Sequence, residues 1–94
     1  MPLFAIRRNV GPISADELDA AGFRATACAT EFEGLRWERS FWDRARGQLL
    51  CYYEAKSADE IRRHSHMSNI PCDEITEVTE VLPDVYSSAA VGRS

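Results

Sequence analysis

The residues of this chain best suited to metal chemistry are crowded into the segment 62–74, RRHSHMSNIPCDE. It contains both histidines of the chain, one of the three cysteines and two acidic residues. Imidazole, carboxylate and thiolate groups are the side chains that bind divalent transition metals in proteins. The composition of the segment therefore raises the hypothesis of a metal site near the end of a helix.

Helical spacing divides this cluster. His64 and His66 are separated by two positions, so at about 100° per residue their side chains point about 200° apart unless the helix has unwound by His66. Glu60 and His64 share a helix face and can act as a carboxylate–imidazole pair. We therefore expect the metal ligands to be His64 and Glu60, with His66 as a third ligand at an unwound helix end. The alternative is that Glu60 and His64 make the ordinary solvated contact of a surface helix.

A second set of polar and aromatic residues falls in predicted strands, where burial would place them in a cleft. The predicted cleft residues are Arg7, Trp37, Arg39, Tyr53 and Glu54. Buried charges need partners, and an ion pair such as Arg39 with Glu54 would meet that need without any function. In an enzyme, His64 would act as a general acid or base because imidazole titrates near neutrality, with Arg39 or Arg7 holding an anionic substrate and Tyr52 nearby.

The helix predicted over 58–67 has few apolar residues, namely Ala58, Ile61 and Met67. Its inward stripe runs from Ile61 through His64 or Ser65. Such a helix either leaves room for a polar cleft or is short and packed by Ile61 alone. The tryptophans, Trp37 and Trp42, are expected to be core or interface anchors, and either of them is also suited to walling a ligand pocket.

Composition narrows the function classes. The chain has 94 residues, a net charge of −4 and 45% hydrophobic residues, which fits one small globular domain. An acidic chain without a basic patch is a poor partner for nucleic acid or an anionic membrane surface. The cysteines, Cys28, Cys51 and Cys72, form no CxxC pair and are expected to be free thiols in a reducing cytoplasm. No stretch has the character of a signal peptide or a membrane span.

The elements that must position these residues follow from periodicity and capping signals. SADE occurs at 14–17 and again at 57–60, and each copy is a capping box that opens a helix. The predicted strands cover 3–9, 35–42, 48–55 and 74–82, and the predicted helices cover 14–30 and 58–67. The order β-α-β-β-α-β predicts an α+β ferredoxin-like domain over 1–83, with two helices on one face of a four-stranded antiparallel sheet. Residues 84–94 are predicted to be a flexible C-terminal tail.

The alternation of polar and apolar residues is irregular along the second and third predicted strands. A sheet with one face exposed to solvent should have one polar phase on each strand. In 35–42 and 48–55, both phases contain a large aromatic residue. We therefore expect both faces to be covered and the protein to be a homodimer with sheets packed face to face.

The segments LRWERSF, LLCYYEAKSADEIRRH and NIPCDEITEV resemble, in order and spacing, a small bacterial family of unknown function. The resemblance implies a ferredoxin-like domain that pairs into a dimeric α+β barrel, and the family includes a nickel-binding protein. Positions that match the family's motifs are Trp37, Ser40, Cys51, Tyr53, Ala55 and His64. Relatives often have His or Arg two residues after the tryptophan, and Arg39 occupies that position here, so this position supplies no imidazole ligand.

Two functions follow as hypotheses. The resemblance, together with His64 and Glu60, implies a protein that binds a divalent metal ion such as Ni²⁺ for sequestration or homeostasis. The alternative is an enzyme of the dimeric α+β barrel class, an isomerase or cofactor-free oxygenase, that binds a small molecule and uses His64 as acid or base. A dimeric module without a small ligand is a third interpretation.

Overall fold

The structure is a computed structural model that describes residues 1–87. Its elements are β1 (Leu3–Asn9), α1 (Ala15–Ala29), β2 (Arg36–Asp43), β3 (Gln48–Glu54), α2 (Ala58–Met67) and β4 (Glu74–Val78). Residues 83–87 form a short exposed helical segment. The order confirms the predicted ferredoxin-like arrangement.

The four strands form a single antiparallel sheet in the order β2-β3-β1-β4. The strand that begins the chain therefore lies in the interior of the sheet, between β3 and β4. Alternate residues of β1 point to the two faces: Phe4, Ile6 and Arg8 are buried toward the helices, and Arg7 lies on the open face. The buried apolar core contains Phe4, Ile6, Leu49, Cys51, Tyr53 and Ile61.

The two SADE sequences cap their helices differently. Ser14 accepts from the Glu17 backbone N–H, and the Glu17 carboxylate accepts from the Ser14 N–H, which completes the predicted capping box. Ser57 also accepts from the Glu60 N–H, at 3.2 Å. The return bond is not formed, because the Glu60 side chain is buried. The second copy is therefore a simple N-cap.

A β-bulge on β2 accounts for the irregular alternation of the segment 35–42. The register of β2 against β3 shifts between Trp37 and Arg39, which makes Glu38 an extra residue. After the bulge, Ser40 and Trp42 lie on the helix side with Trp37, while Arg39 and Phe41 lie on the open face. Regular alternation would instead have placed Trp37 on one face with Arg39 and Phe41.

The last strand is shorter than predicted, ending at Val78 instead of residue 82. Val78 pairs with Leu3, which is the first residue of β1, so the next residues have no strand to pair with. The predicted tail extends beyond the described residues, since 88–94 lie outside them, and its flexibility stays a prediction. Within residues 1–87, no helix has both the length and the apolar character needed to cross a membrane.

Candidate functional site

Helix α2 presents a buried polar stripe to the rest of the protein. Glu60, His64, Ser65 and Ser68 are all buried beside Ile61, which is the only apolar residue of the stripe with no exposed surface. The scarcity of apolar residues in α2 thus reflects inward-facing polar groups. Buried polar groups require partners, so the hydrogen bonds of this stripe define what the site can do.

His64 is fully buried, and its ring is fixed between the two helices and the sheet. Its Nε2 lies 2.8 Å from the carbonyl oxygen of Ala25 in α1. A carbonyl oxygen only accepts, so Nε2 carries the proton and Nδ1 has a free lone pair in the neutral ring. The ring packs edge-on against Phe32 and tilted against Tyr53. Nδ1 has no hydrogen-bond partner among residues 1–87.

Burial keeps this imidazole neutral. Loss of solvation lowers the pKa of His64 from its ordinary value, and the charge of Arg8 lowers it further, against the effect of the bond to Ala25. Metal-binding histidines need a neutral ring and commonly donate their second N–H to a backbone carbonyl. His64 satisfies both requirements.

Glu60 lies one turn before His64 and is also buried. Its Oε1 has no hydrogen-bond partner among the described residues. Positions four apart face the same side of a helix. Glu60 and His64 therefore bring two unpartnered ligand atoms, a carboxylate oxygen and an imidazole nitrogen, to the buried side of α2. A metal ion fits this donor pair, because Ni²⁺ accepts imidazole with carboxylate and water oxygens.

The rest of the 62–74 cluster is dispersed. His66 is exposed on the other side of α2, which remains helical through Met67, so the structure does not bring His66 to His64. Asp73 accepts from the Asn9 backbone N–H at 2.6 Å. No group of three His, Cys, Asp or Glu side chains within residues 1–87 is arranged to hold a metal ion. Within the part of the chain that the structure describes, the candidate ligand set is thus limited to Glu60 and His64.

The predicted cleft residues lie on opposite faces of the sheet. Trp37 and Tyr53 lie on the helix side, with their rings stacked at a centroid distance of 6.3 Å. The open face carries the other members of the set, which are Arg7, Arg39 and Glu54, and it also carries Tyr52. The prediction of one cleft is therefore corrected, and the enzyme set of His64, Arg39 and Tyr52 does not share a site.

The ion pairs of the open face also differ from expectation. Arg7 donates to Glu74 at 2.8 Å, with both side chains about half exposed. Arg39 lies 3.8 Å from Glu80, not paired with Glu54 as suggested by the sequence. Residues 79–81, which follow β4, form one wall of a groove of about 420 Å³ over this face. The other wall includes Phe41 and Tyr52, whose rings meet edge to face.

A second cavity of about 420 Å³ lies on the helix side, between α1 and the sheet. Its walls include three aromatic residues of β2 and β3, Trp37, Trp42 and Tyr53. Trp37 donates from Nε1 to Ser40 Oγ at 2.8 Å. Both tryptophans thus line a cavity, which is the second of the two roles considered for them from the sequence.

Arg8 also lines this cavity, and it is the residue that the sequence argument missed. Its side chain is 1% exposed, and Nη1 donates to Ser65 Oγ at 2.9 Å and to the Pro71 carbonyl at 2.8 Å. The available signal was the phase of β1, because Arg8 shares the alternation of Phe4 and Ile6, whereas Arg7 does not.

The cysteines are consistent with the expected free thiols. Cys51 is buried, Cys28 and Cys72 are half-buried, and all three are free. They add no ligand to the pair formed by His64 and Glu60.

Comparison with known proteins identifies relatives. Residues 4–78 match the family described as Nickel responsive protein SCO4226-like. The solved structure of SCO4226 from Streptomyces coelicolor A3(2) is similar with a TM-score of 0.76 and 27% sequence identity, over 85% of this chain and 99% of that chain. A search of curated proteins found no match.

Proposed function

The chain belongs to the SCO4226-like family of nickel responsive proteins, and from that premise we propose that it binds a divalent transition-metal ion of the nickel type. Sequestration or homeostasis of the metal is the proposed role. The observation that supports this function is the orientation of His64. Its Nε2–H is held by the Ala25 carbonyl, and Nδ1 is left as a neutral, buried lone pair.

Glu60 is the second proposed ligand, through its unpartnered Oε1. The carboxylate would offset part of the charge of a divalent ion, and the ion would compensate the desolvation of this buried acid. When bound, the metal supplies a Lewis-acidic centre with open positions for water or other oxygen ligands. His64 and Glu60 hold it, and the packing of Phe32 and Tyr53 around the ring fixes the direction of the imidazole.

Calorimetric titration of the apo protein with NiCl₂, beside ZnCl₂ and CuCl₂, tests the proposal. We expect nickel to bind with a Kd below about 0.1 mM, or about −5.5 kcal/mol. Glu60→Gln keeps the shape of the side chain and removes its charge, and His64→Gln keeps an amide N–H for Ala25. Both variants should weaken binding at least tenfold. His66→Gln is the matched control, because His66 is exposed on the same helix.

Two results would overturn the proposal. Absence of binding tighter than 0.1 mM in the wild-type protein would exclude the function. Loss of binding in His66→Gln alone would place the site on the exposed side of α2. Circular dichroism of each variant shows whether it is folded.

A homodimer through the open face of the sheet is the proposed assembly, and the second copy of this chain is its occupant. Phe41 and Leu50 of this face are 58% and 38% exposed. The segment after β4 also carries exposed apolar residues, including Val81 and Val85. Exposed apolar residues on a sheet face and on a segment of the same chain can pack against each other in a two-fold pair.

Sedimentation velocity tests this assembly. We expect a dimer at tens of micromolar, and Phe41→Asp should convert it to a monomer. Phe23→Asp is the control, because Phe23 is 76% exposed but lies on α1, on the side of the sheet opposite to the open face. A wild-type monomer at this concentration would contradict the proposal.

The free thiols support a location in the reducing cytoplasm, which is likewise proposed.

A further inference from the structure

Arg8 is a buried cation without a buried anion. Both hydrogen-bond acceptors of its Nη1, Ser65 Oγ and the Pro71 carbonyl, are neutral, and Nη2 has no acceptor among residues 1–87. No acidic side chain of the described chain forms an ion pair with it, although its neighbour Arg7 has Glu74. The Tyr53 ring, whose centroid lies 5.8 Å from Arg8 Cζ, offsets part of this charge. A buried cation without an anionic partner is destabilising, so this arrangement points to an anion from outside the chain.

Trp42 adds a second unsatisfied donor to the same cavity wall. Its Nε1 is buried and has no acceptor within the described residues. Trp42 and Arg8 both line the cavity of about 420 Å³ between α1 and the sheet. Small-molecule sites are mostly apolar cavities of about 300–1,000 Å³ with a few polar groups that fix orientation. The helix-side cavity has this size and this distribution of groups.

The apolar residues of the cavity wall indicate the shape of the ligand that would fit it. Trp37 and Tyr53 present stacked rings, and α1 contributes small residues to the lining, among them Ala21, Gly22 and Ala25. Flat apolar molecules pack well against such rings. Asp19 is the acidic residue of the lining and is exposed. Its charge repels an anion, so an anionic group of a ligand is favoured near Arg8 and its apolar part near Asp19.

We infer that this cavity binds a small aromatic carboxylate, whose carboxylate accepts from Arg8 and whose ring lies among Trp37, Trp42 and Tyr53. The guanidinium group suits a carboxylate because its donors match the two oxygens. Neither His64 nor Glu60 belongs to the described cavity lining, although Ala25 and Tyr53, which contact His64, do belong to it. Titration of the metal-free protein therefore tests the inference independently of nickel binding.

Amide chemical-shift titration of the ¹⁵N-labelled protein tests the inference, with benzoate, phenylacetate and 1-naphthoate as probes. At least one of them should bind with a Kd below about 1 mM and shift the amides of Gly22, Trp37 and Trp42. The corresponding carboxamides have the same shape and no charge. They should bind at least tenfold more weakly, because a hydrogen bond to a charged partner is stronger than a neutral one.

Two pairs of protein variants locate the site. Gly22→Leu extends a side chain from α1 toward Trp37, whose Cη2 is 3.7 Å from the position of an added Cβ, and should abolish binding by filling the cavity. Ala27→Leu, at an exposed position of α1 outside the cavity lining, is its control. Arg8→Met should weaken binding at least tenfold, and Arg7→Met, on the opposite face, should not.

Each contrary result is decisive. No binding of any probe at about 10 mM would overturn the inference. Equal binding of acids and amides would remove Arg8 from the site, and unchanged binding in Gly22→Leu would place the ligand elsewhere. The amide comparison and Gly22→Leu retain Arg8, so the test holds even where Arg8→Met fails to fold.

Discussion

The imidazole of His64 in α2 donates to the carbonyl oxygen of Ala25 in α1 over 2.8 Å, within a fully buried contact. The bond joins the two helices at a point where an α-helix normally uses its carbonyls internally. It fixes the tautomer of His64, and with it the atom that is free to bind a metal. The same bond makes the stability of the domain sensitive to protonation of one side chain.

Acidification should destabilise the protein through His64. Burial lowers its pKa in the folded state below the ordinary value of 6.5, so the unfolded chain takes up a proton first as the pH falls. The free energy of unfolding should therefore be unaffected by His64 above pH 6.5 and decrease below it, by at most about 1.4 kcal/mol per pH unit for one proton. Urea unfolding between pH 7.5 and 5.0 measures this slope.

His64→Gln and His66→Gln separate this effect from that of the carboxylates. His64→Gln should flatten the slope between pH 6.5 and 5.0, whereas His66→Gln, at an exposed position, should leave it unchanged. An equal slope in His64→Gln and the wild-type protein would contradict the assignment.

Ser65→Ala should destabilise the domain. Ser65 Oγ accepts from Arg8 Nη1 at 2.9 Å, in a buried bond to a charged donor. Its removal leaves the cation with one acceptor, the Pro71 carbonyl, and should lower the free energy of unfolding by about 1–3 kcal/mol. Ser40→Ala is the matched control, because the bond from Trp37 to Ser40 is exposed. A change in the control as large as that in Ser65→Ala would refute the argument.

Two glycine substitutions should act in opposite directions. Gly22→Ala, in the middle of α1, meets only Trp37 at ordinary contact distance and should stabilise by about 0.5–1 kcal/mol. Gly47→Ala should destabilise, because Gly47 has φ of +64° and an added Cβ would lie 2.9 Å from the Gly11 backbone. Thermal melts of both variants check the signs, and a melting temperature raised by Gly47→Ala would be inconsistent with this backbone geometry.

Glu60→Gln should separate stability from metal binding. Glu60 is 7% exposed, and its Oε1 has no donor among residues 1–87. Removing a poorly satisfied buried charge should leave the apo protein as stable or more stable. In contrast, saturating NiCl₂ should stabilise the wild-type protein by about 2.7 kcal/mol at 100 times Kd and stabilise Glu60→Gln less. Melts with and without nickel make both comparisons.

Local patterns were sufficient to predict most of the fold. The bounds of β1 and α2 agree with those predicted, because the turn residues Gly11 and Pro12 follow β1 and a serine cap opens α2. The end of β4 was missed, since it depends on where its partner β1 begins. That information is a pairing register, which no local signal in 74–82 contains.

The site was predicted less completely. His64 and Glu60 followed from helical spacing, but the orientation of the imidazole depends on Ala25, which is 39 residues away in sequence. Arg8 could have been found from the phase of β1. Arginines are usually exposed, and for that reason Arg8 was not assigned to the buried face. The division of the predicted cleft between two faces depends on the bulge at Glu38, which the sequence did not reveal.

The bulge has a consequence for comparing this chain with its relatives. Trp37 and Ser40 are three residues apart, which in a regular strand would place them on opposite faces, yet the extra residue lets Trp37 donate to Ser40. A relative with one residue fewer here should be aligned with its gap opposite Glu38. A gap placed anywhere later in β2 would match inward positions with outward ones, and substitutions between them would be misread as changes of the cavity wall.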